Sequence, residues 1–390
     1  MNLPATLPAV TLVGHPFAVL GMGRTHRMLF HALRAAGVTV SSLDVYGGDR
    51  GIDARAAAQI VPHLTRDFSP SINIFTLNAD EVAPSLKHLG QSLPDEAYNV
   101  IVPFWELENY PYAWVEQLSL FDEIWASSSH IANAIDLAVH APVATLLHPI
   151  EPKITRYQGR HAFGISESAY AFLLNFDFRS YSARKNPEGA LQAFEALLQA
   201  RPDADVQLVL KVTGFREHPQ ALDRLRARLA RLHGRVVLLA ELMDDDTVNS
   251  LTCACDCFLS LHRAEGFGQG LADAMFFGKP VIATAYSGNM DFMSADDSLL
   301  VPYEMIALQP GDYPHADGQR WAEPDIADAT QKMIALIDNP GIGRAIGDKA
   351  AVRIRTQLSL RATGLAYRMR LEQIWAQRKV ALPAQKSATL

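Results

Sequence analysis

The chain has 390 residues, enough for two domains, and its 49% hydrophobic and 20% charged composition, with Gly and Pro scattered along it, excludes a disordered or fibrous protein. A formal charge of -7, from 42 acidic against 35 basic residues, argues against a nucleic-acid binder, whose affinity comes largely from basic groups neutralising phosphates. Cys253, Cys255 and Cys257 alternate along the chain, a spacing unlike the paired ligands of zinc sites or a disulfide framework, and this sparse use suits a reducing cytosol.

The opening stretch MNLPATLPAVTLVG lacks a basic start, a long apolar core and a cleavage site, so no signal peptide is expected. No apolar run reaches the roughly 20 residues that span a bilayer. A soluble protein is expected, with peripheral attachment left open. Short β-branched runs then alternate with helical patterns. Strands are predicted over 9–14, 38–45, 72–77, 99–104, 123–127 and 143–147, with a helix over 25–36 in the first crossover. Residues 150–168, with Pro152, Gly159 and Gly164 and no periodicity, read as a linker, which places a domain boundary near Gly164. A second series follows at 170–176, 205–212, 236–239, 257–261, 281–285 and 299–301. Strands alternating with helices predict an α/β protein of two doubly wound sheets with a ligand cleft between them.

Other features read as structural. Arg224, Arg226, Arg228 and Arg231 interleave with Leu222, Leu225, Leu229 and Leu232 as an amphipathic helix with a solvated basic face. Asp244, Asp245 and Asp246 precede a helical pattern and fit the acidic preference of a helix start better than a metal site. His262 reads as either a packing residue or a pocket residue. The tail over 360–380 is helical, with Leu365, Met369, Ile374 and Trp375 as candidate contacts and Arg361, Arg368, Arg370 and Arg378 leaving it polar elsewhere.

The richest stretch is CDCFLSLHRAEGFGQGLADAMFFGKPVIATAYSGNMDFM, residues 255–293. A strand ends near Leu261, a glycine turn follows, and a helix is predicted over 268–277, stopped by Gly278 and Pro280. A second flexible turn comes at Ser287 and Gly288. The turn Glu265-Gly266-Phe267-Gly268 puts small residues where a helix begins, so free backbone amides and the positive helix end face an anion such as a diphosphate. Asp273 follows Glu265 by eight residues, which on an ideal helix is about 80° of rotation and about 12 Å of rise. Such carboxylates cannot grip one atom, and they suit two ends of a long ligand rich in hydroxyls, such as a sugar and a ribose.

These residues resemble glycosyltransferase family four, the large group of retaining GT-B enzymes, in its hallmark of two acids separated by seven residues, an EGFG segment and a following A-x-x-x-G-x-P-V. Glu265, Gly266, Phe267, Gly268, Ala274, Gly278, Pro280 and Val281 occupy those places, with Asp273 where the family has a second Glu. The resemblance implies two Rossmann-like domains facing a cleft: residues 1–163 on the acceptor side, 164–359 binding the donor, and 360–390 as a helix and tail packing back on the first domain. It assigns Glu265 to the donor sugar and Asp273 to the nucleotide ribose. The segment 176–194 resembles the one that supplies a basic pair beside the donor diphosphate. Lys185 matches the lysine; the expected arginine position holds Ser180, which leaves Arg184 and then Arg179 as the second cation. The segment 15–33 resembles the glycine loop and first helix, in which Gly21 and Gly23 either permit close approach of phosphate or simply make a turn. Arg24 and Arg27 beside them read as anion ligands or solvated charges. Glu106, in a Trp-Glu-Leu-Glu turn where relatives carry histidine, resembles the version in bacterial polysaccharide and O-antigen transferases. Acceptor binding, proton acceptance and a buried structural role all stay open for it.

The implied reaction moves a hexosyl unit from a nucleoside diphosphate sugar, a co-substrate, to a hydroxyl of a glycan or lipid-linked saccharide. No metal or other cofactor is expected, nor a nucleic-acid partner, and the place of action is the cytoplasm or the inner face of the membrane. A sugar-nucleotide epimerase and a catalytically idle nucleotide-sugar or glycan-binding protein share the fold and remain competing readings.

Overall fold

The computed structural model describes residues 7–19, 21–47, 58–232 and 234–381. Its first six strands are β1 (Val10–Gly14), β2 (Val40–Asp44), β3 (Ile72–Phe75), β4 (Tyr98–Ile101), β5 (Glu123–Ala126) and β6 (Val143–Thr145). They form one sheet in the order β2-β1-β3-β4-β5-β6. The next six are β7 (Tyr170–Asp177), β8 (Val206–Thr213), β9 (Val236–Leu239), β10 (Cys257–Ser260), β11 (Val281–Thr284) and β12 (Leu299–Val301), in the order β12-β11-β10-β7-β8-β9. All pairings within both sheets are parallel, as the strand–helix alternation predicts. Every residue of β1, β3, β5 and β11 is buried, because helices cover both faces and leave no solvent side to alternate towards. Each of the twelve expected strands is present.

Three features differ from expectation. The first helix runs Gly21–Ala35, beginning four residues before its expected start because the two glycines join it. An antiparallel hairpin, β13 (Tyr303–Ala307) with β14 (Arg320–Pro324), follows the second sheet unannounced. One of its strands is largely solvent-facing and its loop is rich in Pro, Gly and Asp, so no apolar period marks it. The helix Leu360–Ala381 does return to the first sheet, but Leu365 and Met369 are exposed. Its buried face is Tyr367, Leu371 and Ile374, at spacings of four and three, with Trp375 partly buried beside them.

The arginines of that helix are also used. Arg370 makes a two-pronged ion pair with fully buried Glu123 at 2.7 and 2.8 Å, and Arg368 donates to the Ala36 carbonyl at 2.8 Å. Residues 382–390 of the expected tail lie outside the described residues.

Candidate active site

The second sheet begins at β7, extends through β8 and β9 on one side, then returns to lay β10, β11 and β12 on the other. At such a reversal, the loops leaving the carboxyl ends of β7 and β10 diverge to opposite faces and open a crevice where ligands bind. Here the crevice faces the carboxyl ends of the first sheet. The resulting cavity of about 600 Å³ is lined by Asn78, Phe104, Glu106, Ser127 and His148 from one half and by Lys185, Lys211, Glu265 and Asp273 from the other.

Glu265 leaves β10 on the predicted turn, and the turn is built from behind. Glu265 N–H donates to Ser287 Oγ at 2.8 Å, and Gly288 N–H returns to the Glu265 carbonyl at 2.9 Å. Residue 288 must be glycine, since a Cβ there would lie 1.9 Å from the Gly266 carbonyl oxygen. Gly266 itself presses on the Trp105 carbonyl, and Ser128 Oγ donates to Gly266 O at 2.5 Å, which ties the turn to the opposite half. Gly268, at a φ of 97°, swings the chain into the helix Gln269–Phe276, whose first residues line the cavity. Unpaired first-turn amides at that end suit an anion. Since the helix starts only at Gln269, the ideal-helix relation between Glu265 and Asp273 does not hold, and the two carboxylates take different partners.

Glu265 is 8% exposed and carries Lys185 Nζ on one oxygen, with Arg184 Nη1 3.3 Å from the other. Burial alone would raise its pKa; Lys185 and then Arg184 overcome that and hold it down to about 2. The basic pair stands on a single helical turn, Ser182–Lys185, between two non-glycine residues of positive φ, Tyr181 at 61° and Asn186 at 50°. Strained backbone of this kind persists only where the surroundings over-determine it. Asn186 also caps the next helix by accepting from Gly189 N–H at 3.0 Å. Arg184 is buried, donates to the Ala264 carbonyl at 2.9 Å and lies 3.7 Å from Glu106. Of the two candidates for second cation, Arg184 is therefore the one beside Lys185. Arg179 lines the cavity but is folded onto Asp177 at 2.8 Å.

Several expected donor contacts sit behind the cavity wall. Ser287 and Gly288 buttress the turn and do not line the cavity. Gly21 lines it, but Gly23 is packed where a Cβ would meet the Ala18 carbonyl at 2.2 Å, so it closes its own loop. Phe267 lines the cavity while its ring packs on His148 and Phe292. His262 is fully buried between Ser260 Oγ at 3.0 Å and Asn289 Oδ1 at 3.1 Å, a packing role. Asp273 is bound by Arg24, which lines the cavity and is therefore no solvated charge. Glu106 also lines it, accepting a hydrogen bond from Tyr313 Oη of the unforeseen hairpin.

Residues that sequence reasoning missed include Lys211 and His148 in the cavity lining and Tyr313 behind Glu106. Lys211 is a lone charge in the apolar strand β8, a signal that was readable. His148 is the polar residue before Pro149 where the chain leaves the first sheet. Burial, with Arg24 nearby, lowers its pKa to about 3, so it is neutral. Tyr313 reaches Glu106 across 207 residues, and nothing local marks it. Among the described residues no three His, Cys, Asp or Glu side chains group to hold a metal ion, and no helix is long and apolar enough to cross a membrane. The arrangement is suited to a polyanion held on helix amides and cations beside an ionised carboxylate that can accept from hydroxyls.

Residues 177–308, which carry most of this site, match the family model described as Glycosyl transferases group 1. Among curated proteins, a trehalose synthase from Pyrococcus horikoshii is 27% identical over 108 residues, covering 28% of this chain and 21% of that protein. The match thus spans about a fifth of that relative's length. Among solved structures, sucrose-phosphate synthase from Thermosynechococcus elongatus superposes with a TM-score of 0.66 at 14% identity, covering 95% of this chain and 99% of that one. Anabaena HepE in complex with UDP and glucose gives 0.61 at 14%, covering 96% and 99%. A mutant of S. aureus TarM in complex with fondaparinux, α-GlcNAc-glycerol and UDP gives 0.55 at 12%, with 78% of this chain covering 56% of that longer one. These likenesses establish the fold, two Rossmann-like α/β domains facing a cleft in the GT-B arrangement.

Proposed function

We propose that the protein is a retaining glycosyltransferase that moves a hexosyl unit from a nucleoside diphosphate sugar to a hydroxyl of a glycan or lipid-linked saccharide. The observation that carries this reading is the convergence of Lys185 and Arg184 on Glu265 in the wall of the crevice, next to the amide end of the helix Gln269–Phe276. In this scheme residues 164–359 hold the donor and residues 1–163 present the acceptor. The diphosphate lies on the helix amides with Lys185 and Arg184, and Glu265 accepts from hydroxyls of the donor sugar. The UDP complexes of HepE and TarM favour UDP among the candidate nucleotides.

The reaction breaks the bond from the anomeric carbon to the leaving phosphate oxygen and forms one to the acceptor hydroxyl oxygen. Displacement takes place on the front face, and the acceptor proton passes to the departing phosphate. Negative charge grows on that phosphate in the transition state, and pre-placed cations there lower the barrier without reorganising. Glu106, on the acceptor wall beside Arg184, contacts the incoming hydroxyl. The scheme needs no metal ion, and we assign the enzyme to bacterial polysaccharide assembly in the cytoplasm or at the inner membrane face.

A panel of nucleotide sugars, screened by thermal stabilisation and slow hydrolysis, should yield a responding donor. With that donor, Glu265→Gln and Lys185→Ala should each lower kcat by about a hundredfold or more, the scale of losing one transition-state charge contact. Full turnover in both variants would refute the site. An epimerised donor formed without acceptor would make the protein an epimerase.

A further inference from the structure

Asp273 is 5% exposed, and both its carboxylate oxygens are taken by the guanidinium of Arg24, with Nη2 to Oδ1 at 2.5 Å. Arg24 stands in the first turn of the helix Gly21–Ala35, on the opposite side of the cleft. A cation there faces the positive end of its own helix, an unfavourable placement unless a carboxylate compensates it. The same helix holds two further contacts across the cleft: Gln269 Nε2 donates to Thr25 Oγ1 at 2.8 Å, and Arg27 lies 3.4 Å from Asp245. Of the five donors on a guanidinium, a two-pronged carboxylate occupies two. Arg24 lines the cavity, so its remaining edge is available to a ligand oxygen. Asp273 also lines the cavity, but its side chain is 7% exposed against 20% for Arg24, and both its oxygens are engaged.

We propose that Asp273 is a positioning residue which holds Arg24 over the cavity, and that Arg24 grips the donor's diphosphate from the first domain, opposite Lys185 and Arg184. The second acid of the pair therefore acts at the phosphate end of the ligand, through a cation, and leaves the ribose hydroxyls alone. Its shorter side chain fits this role, since the guanidinium reaches across to it. Donor binding then links the two halves through the phosphate itself. The inference rests on the nucleotide-sugar reading of the cavity.

The test is calorimetric titration of the intact protein with UDP, and with GDP, ADP and CDP in parallel. The tightest binder is then compared with its 2′,3′-dideoxy form and its free nucleoside, the last by competition. Asp273→Asn should weaken the diphosphate and its dideoxy form by the same factor, on the order of tenfold to a hundredfold, because a charge-assisted contact is lost. The free nucleoside should bind as it does to the unaltered protein. Arg24→Met, a second route should the first variant fail to fold, should show the same pattern, and combining the two should cost no more than either. If Asp273→Asn weakens the diphosphate and the nucleoside but not the dideoxy compound, the carboxylate grips the ribose and the proposal falls. Unchanged diphosphate affinity would also overturn it while leaving the enzyme reading intact. Failure of all four diphosphates to bind the unaltered protein would sink the nucleotide-sugar reading along with it.

Discussion

The chemistry of Glu265 depends on residues that do not line the cavity. Ser287, held at a φ of 75°, and Gly288 fasten the turn that carries it, and no methyl group fits between Gly288 and the Gly266 carbonyl. Gly288→Ala should therefore destabilise the protein by about 1–3 kcal/mol, as overpacking does, and displace the Glu265 turn as well. Melting temperature and donor turnover measured together check this, with turnover expected to fall by more than the loss of folded protein explains. Local signals made part of this legible: the glycines around Glu265 mark a turn before a helix, and Lys185 precedes an Asn-Pro helix start. They could not distinguish a glycine that opens on the cavity, as Gly21 does, from one that admits the protein's own backbone, as Gly23 and Gly288 do. Both leave the same trace, a missing side chain.

Two elements beyond the second sheet reach back to the first half. The helix Leu360–Ala381 crosses from the second domain to the first and plants Arg370 on Glu123, which also accepts from Tyr98 Oη at 2.9 Å and Trp125 Nε1 at 2.8 Å. Arg370→Ala would leave a fully buried carboxylate without its cation and should cost about 3–5 kcal/mol of stability. Denaturant unfolding checks this, and adding Glu123→Gln to the variant should recover part of the loss. The helical period of the tail was readable, but its buried face was not. Leu365 and Met369 are larger apolar signals than their exposure warrants, while the arginines expected in solvent bind carbonyls and a carboxylate of the first domain. The second element is the hairpin β13–β14, which brings Tyr313 to Glu106 and His315 against Trp114. Beside Glu106, burial first and then the carboxylate raise the Tyr313 hydroxyl well above its usual pKa, so it stays a donor.

At the scale of the molecule, burial sets the response to acid. His26, between Thr76 and Ser42 at 2.8 Å each, and His148 are both pushed by burial to about 3, whereas an unfolded histidine protonates near 6.5. Each folded-state pKa is depressed, so below about 6.5 the unfolded chain takes up protons that the folded chain refuses. Stability is therefore lost as pH falls from about 6.5 towards 3. Each buried histidine accounts for about 2 kcal/mol between pH 6.5 and 5 at 1.36 kcal/mol per unit. Glu265 adds a lower window, contributing stability above about 4.5 that is lost as pH falls through 2. Urea midpoints at pH 7 and 5 test this: His148→Asn should flatten the decline, and an unchanged slope would show that His148 protonates in the folded state.

By itself the sequence determined the α/β class, the twelve parallel strands, the break between two sheets and the turn at Glu265, because each is written in neighbouring residues as period, β-branching or glycine placement. Tertiary structure alone decided which charges meet. Arg24 and Asp273 lie 249 residues apart, Glu106 and Tyr313 lie 207 apart, and Arg370 and Glu123 lie 247 apart. Their pairing depends on how the two sheets face each other across the cleft, and no local pattern encodes that orientation. For the same reason Asp273 reads in sequence as one half of a carboxylate pair and in the folded molecule as the partner of an arginine from the other domain.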